Sequence, residues 1–486
     1  MAQSPHADRF EALAASFVKE HRLPGAAVGV VVGGELVWSA GVGFADLAAH
    51  RRSDASTLYR IASITKTFTG TAIMQLRAIG RLQLDDPVVL FLPELAAAAR
   101  RPGAIESVTI RRLLSHESGL RSEPPGTDWA IPRYEGDVKR TLARVEEIGA
   151  VIPPNRQWKY LNLGYQLLGE IVARVSGTPY PDYVSKKILQ PLGMSSTSFE
   201  PLPERLTTRV ATGYAGRLFS DELDVAPAMP PIFAEGGLWS CVNDLSSWLC
   251  LQLAAYRYAA ADEQAAEAQI LSNEDLKEMH KPRYIVDDDW TTAWGISWFA
   301  VRKDDVIWIQ HSGGLPGHQT NVCFDPKSGV GAIALLNGSA DPGALAMGLA
   351  GIAREAASAR APELTPPPAM PARYRPLLGA YRGPDIFAVL EWRDGKLTFV
   401  VPEWPTWKPT LLATGDEDIF VVEPGYRESG EPATFERLPD GRVVSVHLTA
   451  FTLRRQDDVA AEGSTRSQVP SPRPVSPKGT ARRTRP

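Results

Sequence analysis

Cysteine is scarce in this chain, and neither sign of charge dominates. Three cysteines, Cys241, Cys250 and Cys323, are spread over 486 residues. Their small, odd number argues against a disulfide framework, and none has the closely spaced cysteine or histidine partners of a zinc site. The formal net charge is only -4, so the composition does not indicate a nucleic-acid-binding surface. We expect neither a structural metal nor a nucleic-acid partner.

Long apolar runs are absent as well. No stretch approaches the roughly 18 apolar residues that a membrane-spanning helix requires. The N-terminal stretch has acidic residues early and lacks the uninterrupted apolar segment of a secretion signal. Its apolar residues Phe10, Leu13, Phe17 and Val18 recur instead at helical spacing. We therefore predict an N-terminal amphipathic helix and a soluble, cytoplasmic protein with no membrane partner.

The patterns that are present predict an α+β protein. Hydrophobic residues make up 44% of the chain and charged residues 22%, as in ordinary globular proteins. Two apolar runs flank Gly33-Gly34, which is a hairpin signal. Strand-like runs return late in the sequence, at 305–310, 321–324 and 330–336. The segment between is mostly helical in pattern. We predict an antiparallel sheet flanked by helices, with an all-helical lobe, over residues 1–360.

The C-terminal part of the chain differs in composition. Residues 361–376 are rich in proline and predict a stiff linker. Residues 377–455 contain strand-like runs and a D-G turn, so we predict a small all-β, barrel-like domain there. Residues 456–486 are rich in serine, proline and arginine and contain no aromatic residue. This composition is typical of a disordered tail.

A serine and a lysine stand three residues apart in "ASITKTFTG" (62–70), as Ser63 and Lys66. Apolar residues around them recur at helical spacing, so the pair should share one face near the start of a helix. Such a pair is either an accident of the surface or a nucleophile beside its base. The same spacing occurs at Ser16 and Lys19, among charged residues that must face water. We interpret that second pair as structural.

Two further motifs place polar groups where they can reach a cleft. Tyr160 and Asn162 precede the helix-like run "GYQLLGEIVARV", although alone they could be a packing aromatic and a helix cap. His311-Ser312-Gly313-Gly314 follows the strand-like run 305–310, and its Gly pair permits close approach of a ligand to the main chain. The plainer alternative for His311 is a satisfied histidine at a strand end. The similar Lys327-Ser328-Gly329 predicts only a hairpin turn.

Taken together and in this order, the three motifs resemble the serine β-lactamase and penicillin-binding-protein superfamily. The likeness is to its class C-like branch, which includes family VIII esterases and D-aminopeptidases. Further stretches strengthen it: "LLSHESGL" (113–120), "PLGMSST" (191–197), "GGLWSCVNDLSSW" (236–248), "WGISWF" (294–299) and "HSGGLPGH" (311–318). The superfamily fold, an antiparallel sheet flanked by helices beside a helical lobe, agrees with the pattern described above.

The resemblance implies a covalent mechanism that needs no metal or organic cofactor. Ser63 would attack a carbonyl and form an acyl-enzyme, with Lys66 as its base. Tyr160 would share a proton with Lys66 and relay it to the leaving group. Asn162 would hold Lys66 and the acyl side of the substrate. The backbone N–H groups of Ser63 and Gly314 would form the oxyanion hole.

His311 is where the sequence departs from the family's pattern. The β-lactam-binding branches usually carry Lys-Thr-Gly in the place of His311-Ser312-Gly313, so that a fixed cation meets the substrate carboxylate. A histidine is mostly neutral at neutral pH, and capture of carboxylates should therefore be weaker. We expect these residues and Gly314 to bind substrate, and the substrate to be an ester or a small peptide or amide of D-amino-acid type.

Two alternatives stay open. One is a true β-lactamase or D,D-peptidase. The other belongs to a different class, a catalytically silent homologue that binds or scaffolds, with the C-terminal β domain as its interaction module. An α/β-hydrolase is unsupported, because the chain contains no G-x-S-x-G. The sequence leaves open the natural substrate, a homo-oligomeric state and the role of the β domain.

Overall fold

The computed structural model describes residues 6–98, 105–127, 136–149, 151–216, 223–227, 232–256, 270–359, 369–384, 386–393, 395–402, 408–423, 429–448 and 451–456. The chain divides into two units, residues 1–360 and 361–486. The predicted disordered tail beyond residue 456 and the first part of the predicted linker, 361–368, lie outside the described residues.

The first unit contains helices of four to eighteen residues, and some of them begin or end at local sequence signals. The described α-helices are α1 (Ala7–Glu20), α2 (Thr65–Ala78), α3 (Ile110–Leu114), α4 (Val138–Ala143), α5 (Asn162–Ser176), α6 (Tyr180–Val184), α7 (Glu204–Thr207), α8 (Val242–Ala254), α9 (Asn273–His280) and α10 (Pro342–Ala359). Thr109 caps α3 by accepting the Arg112 N–H at 3.3 Å. Gly177 ends α5 in the left-handed conformation, with φ 69°. None of the described helices is long and apolar enough to cross a membrane.

The first unit is built on one large antiparallel sheet. Its strands, with two short pairs, are β1 (Gly25–Val32), β2 (Glu35–Asp46), β3 (Arg51–Arg52), β4 (Tyr59–Arg60), β5 (Tyr214–Gly216), β6 (Leu223–Val225), β7 (Trp239–Ser240), β8 (Tyr284–Ile285), β9 (Thr292–Trp294), β10 (Phe299–Lys303), β11 (Val306–Leu315), β12 (His318–Asp325) and β13 (Val330–Leu336). The sheet order is β3-β2-β1-β13-β12-β11-β10-β9-β8. The chain leaves this sheet after β3 and returns at β8, which confirms the predicted α+β fold.

Helices cover both faces of this sheet. On one face α1 and α10 share an apolar core with β1, to which Phe10, Val28 and Leu349 belong. On the other face α2, α5 and α8 share a second core with the sheet, in which Val31 and Phe68 take part. Helix α2 is buried on nearly all sides, as expected of a helix in the middle of a core. The start of α2 is therefore held between the sheet and the helical lobe.

The second unit contains a closed barrel, as the sequence predicts. Its strands are β14 (Gly379–Arg382), β15 (Phe387–Arg393), β16 (Lys396–Val400), β17 (Thr410–Ala413), β18 (Ile419–Val422), β19 (Pro432–Arg437), β20 (Val443–Leu448) and β21 (Phe451–Arg455), and they close in that order. Buried aromatic side chains, among them Tyr381, Phe399, Phe420 and Phe435, form its core. The unit thus has a hydrophobic core of its own.

The His311-Ser312-Gly313-Gly314 motif lies inside strand β11, whereas the sequence pattern places it after a strand that ends at residue 310. Strand β11 continues to Leu315 and pairs with β12 throughout the motif. The Gly pair does not end the strand, and Gly313 instead allows close packing. A Cβ atom on Gly313 would lie 2.1 Å from the carbonyl oxygen of Ile61. Because Gly313 has no side chain, the backbone of Ile61, directly before the Ser63 segment, can pack against it.

We predict that Gly313→Ala lowers the melting temperature, whereas Gly314→Ala, the matched control, changes it little. The added methyl at 313 meets backbone, which cannot move aside, and overpacking of this kind costs about 1–3 kcal/mol. At Gly314 the nearest atom is the end of the Gln319 side chain, at 3.0 Å, which can rotate away. Thermal unfolding of the two variants measures this. Equal melting temperatures would show that β11 and the Ser63 segment are not packed this closely.

Candidate active site

Ser63 lies in a tight 3-10 turn, Ala62–Ile64, that leads directly into α2. The residue before it, Ala62, has a φ of 47°, a left-handed conformation that costs a non-glycine residue about 1–2 kcal/mol. The surrounding core must hold this turn in place. The sequence predicts Ser63 and Lys66 near the start of a helix, and the structure places them there.

Lys66 is fully buried beside Ser63. Its Nζ donates to Ser63 Oγ at 3.1 Å, to Asn162 Oδ1 at 2.7 Å and to the backbone oxygen of Glu235 at 2.5 Å. Burial lowers the pKa of the Lys66 ammonium from 10.5 to about 7, although the carboxylates of Glu235 and Glu123 act in the opposite direction. Near neutral pH a large fraction of Lys66 is therefore unprotonated and able to accept a proton.

Tyr160 stands over the same lysine. Its ring centre is 5.0 Å from Lys66 Nζ. Burial raises the pKa of the Tyr160 phenol above its ordinary value of 10, while a hydrogen bond with Ser63 acts in the opposite direction. Tyr160 is therefore a protonated phenol at neutral pH, which can donate a proton but is not a phenolate base.

Asn162 is the first residue of α5, and a carboxylate fixes its orientation. Its Nδ2 donates to both oxygens of Glu123, at 2.8 and 3.1 Å, while its Oδ1 accepts from Lys66. Because a carboxylate only accepts hydrogen bonds when ionised, the amide NH₂ must face Glu123 and the oxygen must face Lys66. Glu123 was not singled out from the sequence, since a single carboxylate in a loop has no characteristic spacing.

A cavity of about 240 Å³ opens at these residues. It is lined by Ala62, Ser63, Tyr160, Asn162, Ile232, Glu235, Gly236, Gly314 and Leu315. The structure thus brings together four of the residues that the sequence predicts, Ser63, Tyr160, Asn162 and Gly314, around one space. Lys66 lies directly behind Ser63. His311, Ser312 and Gly313 are not among the lining residues.

His311 faces the core behind the cavity. Its side chain is 1% exposed and packs against Trp294 and Phe299, each at a ring separation of 5.5 Å. Nδ1 lies 2.6 Å from the backbone oxygen of Ser312. Burial lowers the pKa of His311 to about 3, and the charge of Lys66 acts the same way. The imidazole is therefore neutral at all physiological pH values.

A second histidine, His116, supports Tyr160 and was not singled out as a site residue. Its ring lies 4.5 Å from that of Tyr160 and 4.3 Å from that of Trp294. Burial lowers the pKa of His116 well below 6.5, so this imidazole is also neutral. Its signal was present in the sequence, because His116 belongs to "LLSHESGL", one of the stretches that support the family resemblance.

The lowered pKa of Lys66 predicts a pH-dependent contribution to stability. Between about pH 7 and pH 10.5 the unfolded chain binds up to one more proton at Lys66 than the folded chain does, so stability rises with pH by up to about 1.4 kcal/mol per unit. The free energy of unfolding of wild type relative to Lys66→Met should therefore increase by about 2 kcal/mol from pH 7 to pH 9. Urea unfolding at both pH values measures it, and titratable groups remote from Lys66 cancel in the comparison. Parallel pH dependence of the two proteins would mean that Lys66 keeps its ordinary proton affinity.

Comparisons with known proteins identify the family to which the chain belongs. A family model described as Beta-lactamase matches residues 10–356. Penicillin-binding protein 4 of Amycolatopsis lactamdurans is 30% identical over 386 residues, which cover 77% of this chain and 96% of that protein. The octameric penicillin-binding protein homologue from Pyrococcus abyssi is similar with a TM-score of 0.60 at 26% identity, over 92% of this chain and 99% of that chain.

A class C β-lactamase from Rhodobacter sphaeroides has the same fold, with a TM-score of 0.57 at 21% identity, over 72% of this chain and 99% of that chain. The matches therefore include proteins named for penicillin binding and for β-lactam hydrolysis. The superfamily to which these proteins belong consists of serine hydrolases. The chain described here is a member of the β-lactamase family.

Proposed function

We propose that this protein is a serine hydrolase that cleaves an ester or a small amide through a covalent acyl-enzyme at Ser63. One observation carries the proposal: the Lys66 Nζ lies 3.1 Å from Ser63 Oγ, and burial lowers the pKa of that lysine to about 7. A serine hydroxyl needs an adjacent base to act as a nucleophile at neutral pH. A lysine that is half neutral near pH 7 is such a base.

The first half of the reaction forms the acyl-enzyme. Ser63 Oγ adds to the carbonyl carbon of the substrate while its proton passes to Lys66. The negative charge that develops on the carbonyl oxygen is stabilised by the backbone N–H groups of Ser63 and Gly314, two residues that line the same cavity. The bond to the leaving group then breaks, and the leaving group takes a proton through Tyr160.

The second half releases the acid. Water adds to the acyl-enzyme and gives a proton to the Tyr160–Lys66 pair, and the proton returns to Ser63 Oγ as the ester bond breaks. Asn162, which Glu123 holds in one orientation, keeps the Lys66 ammonium aligned with Ser63 in both halves. Because Tyr160 and Lys66 exchange a proton, their titration belongs to the pair.

Two features support a small, neutral acyl group as substrate. The cavity of about 240 Å³ has room for a short acyl chain. The neutral His311 supplies no fixed cation for a carboxylate, which favours esters and D-amino-acid-type amides over β-lactams. Reaction with β-lactams is the second candidate, favoured by the name of the relative Penicillin-binding protein 4. We also propose self-assembly, since the homologue from Pyrococcus abyssi is described as octameric.

Covalent labelling of Ser63 tests the function. A fluorophosphonate should label the wild type and Ser16→Ala equally and should not label Ser63→Ala, with the modified peptide identified by mass spectrometry. Ser63→Ala should also lose turnover of p-nitrophenyl acetate, a D-alanine anilide and nitrocefin, whichever of these the wild type cleaves best. A folded wild type that no such probe labels would favour the catalytically silent alternative. Retained turnover in Ser63→Ala would mean that another residue is the nucleophile.

Lys66 and Tyr160 should act as one proton-transfer unit. We predict that Lys66→Ala and Tyr160→Phe each reduce kcat by several orders of magnitude, and that the double variant is little slower than the slower single variant. Each substitution alone already interrupts the same proton path, which explains the non-additivity. Steady-state rates on the best ester measure this cycle. Fully additive losses would show that the two side chains work independently.

A further inference from the structure

The loop 115–123, which follows helix α3, lies along the segment 159–163. The backbone oxygen of His116 accepts the Lys159 N–H at 2.9 Å. The Lys159 ammonium donates to two further oxygens of the loop, at 2.6 and 3.0 Å. Tyr160 is the next residue along the chain, so these hydrogen bonds hold its backbone beside the loop.

The end of α3 fixes the loop in turn. The backbone oxygen of Leu114, the last residue of this helix, accepts hydrogen bonds from Trp294 Nε1 at 2.9 Å and from the Tyr165 hydroxyl at 2.8 Å. His116 lies two residues further on and donates its backbone N–H to the oxygen of Leu113 at 3.4 Å. The backbone at His116 therefore cannot move far while these hydrogen bonds are kept.

The side chain of His116 lies against the ring of Tyr160. The two ring centres are 4.5 Å apart and the ring planes meet at 33°, a separation at the close end of the range for favourable aromatic pairs. Trp294 and Trp158 lie further from Tyr160, with ring separations of 6.0 and 6.3 Å. His116 is fully buried, so its ring is confined beside the phenol. Among the described residues, His116 thus makes the closest ring contact with Tyr160.

Holding this ring in place costs free energy. His116 has a φ of 64°, at the position after a helix where glycine is the usual residue, and the left-handed conformation costs other residues about 1–2 kcal/mol. Neither ring nitrogen has a hydrogen-bond partner within the part of the chain that the structure describes. A buried polar group left in this way costs about 1–3 kcal/mol. The contacts of the imidazole with Tyr160 and Trp294 must offset both costs.

The proposed reaction requires the Tyr160 hydroxyl to be well placed at one step in particular. An amide or an alkyl ester releases an amine or an alcohol, and each must gain a proton as its bond to the carbonyl carbon breaks. A p-nitrophenyl ester releases a stable anion that needs no proton. General acid catalysis by a positioned side chain contributes about 10²- to 10⁴-fold, and a misplacement of about 1 Å can remove about a hundred-fold. A residue that positions Tyr160 should therefore matter most for poor leaving groups.

We propose, on the basis of acyl transfer at Ser63, that His116 is a positioning residue whose ring holds the Tyr160 phenol where it can protonate the leaving group. His116 thereby determines how well the enzyme cleaves amides and alkyl esters. The electron pair of the broken bond stays on the leaving nitrogen or oxygen, which takes the phenol proton, and the Lys66 ammonium returns a proton to Tyr160. The contact acts through the shape of the ring, since no hydrogen bond to either ring nitrogen is found among the described residues.

Two acetate esters that differ only in the leaving group test the proposal, p-nitrophenyl acetate and ethyl acetate. Their kcat/KM values report the reaction up to the acyl-enzyme, which is the same for both. In His116→Ala, kcat/KM for ethyl acetate should fall by about ten- to a hundred-fold more than that for p-nitrophenyl acetate. In His116→Phe, which keeps a flat ring, the ratio of the two values should stay near that of the wild type. An equal loss in both variants would overturn the proposal, because the ring nitrogens would then be responsible.

A double variant separates positioning of Tyr160 from general damage to the site. In Tyr160→Phe the leaving group receives no proton from residue 160, so adding His116→Ala should not change the ratio of the two kcat/KM values further. A further fall in the ratio would overturn the proposal, because His116 would then act independently of Tyr160. If His116→Ala does not fold, His116→Asn replaces it, since asparagine also accepts the left-handed backbone and carries no ring.

His280→Ala is the matched control. His280 is also buried, and the rings of Phe324 and Trp298 lie 5.1 and 5.5 Å from its own, but it does not line the cavity. The variant loses the same side-chain atoms, so its melting temperature should fall while the ratio of the two kcat/KM values stays at that of the wild type. The same ratio in His116→Ala as in this control would overturn the proposal, because His116 would then be structural.

The fluorophosphonate distinguishes a failure of this proposal from a failure of the proposed function. Its fluoride leaves without a proton, so the probe should label Ser63 in His116→Ala as it does in the wild type. Labelling of Ser63 together with an unchanged ester ratio would overturn the role of His116 alone. A wild type that cleaves p-nitrophenyl acetate but not ethyl acetate would do the same, since Tyr160 would then not protonate the leaving group. Failure to label Ser63 in the wild type would instead contradict the proposed function itself.

Discussion

The burial of one ammonium group is the constraint on which the rest of the site depends. A fully buried lysine must be given hydrogen-bond acceptors or lose its proton. Two of the three acceptors of Lys66 come from segments distant in sequence, the start of α5 at Asn162 and the loop at Glu235, and the third is Ser63 in the adjoining turn. The ammonium of Lys66 therefore has all its hydrogen-bond acceptors only when the helical lobe and the loop before β7 are assembled around α2. The same burial lowers the pKa of Lys66 to about 7, near the value that a base acting at neutral pH needs.

The sheet provides the second fixed element of the site. Strand β11 lies so close to the segment before Ser63 that only a glycine fits at position 313, against the carbonyl of Ile61. Because β11 is paired with β12 from Ile309 to Leu315, it cannot shift there without breaking a ladder of hydrogen bonds. Gly314 and Ser63 thus keep a fixed separation across the cavity, as the proposed oxyanion hole would require. Glu123 likewise holds Asn162 in one orientation, because both of its carboxylate oxygens accept hydrogen bonds from the Asn162 amide.

Much of this arrangement follows from the sequence, and what does not has identifiable causes. The three-residue spacing of Ser63 and Lys66 and the helical pattern around them place both on one face. The Gly33-Gly34 turn and the antiparallel sheet are also as predicted. Glu123 and Glu235 escaped prediction because their contacts join residues far apart in sequence and follow no period.

The inward direction of His311 could have been predicted. Residues two apart in a strand share a face, and Ile309, two positions before His311, belongs to the core that α2 completes. The signal was obscured because the Gly pair suggested that the strand had ended. The lowered pKa of His311 could not have been predicted from the strand pattern. It results from burial against the rings of Trp294 and Phe299, which come from other strands.

The interior of the barrel in the second unit is filled by the barrel's own side chains. A barrel of eight strands is just wide enough to be filled by side chains or to hold one small ligand. Here the rings of Tyr381, Phe399, Phe420 and Phe435 meet inside, at separations of 5.6 to 6.4 Å. A guest molecule would have to displace this aromatic cluster and forfeit its packing. Any recognition by the second unit therefore belongs to its outer faces and loops, which can change in sequence while the barrel stays closed.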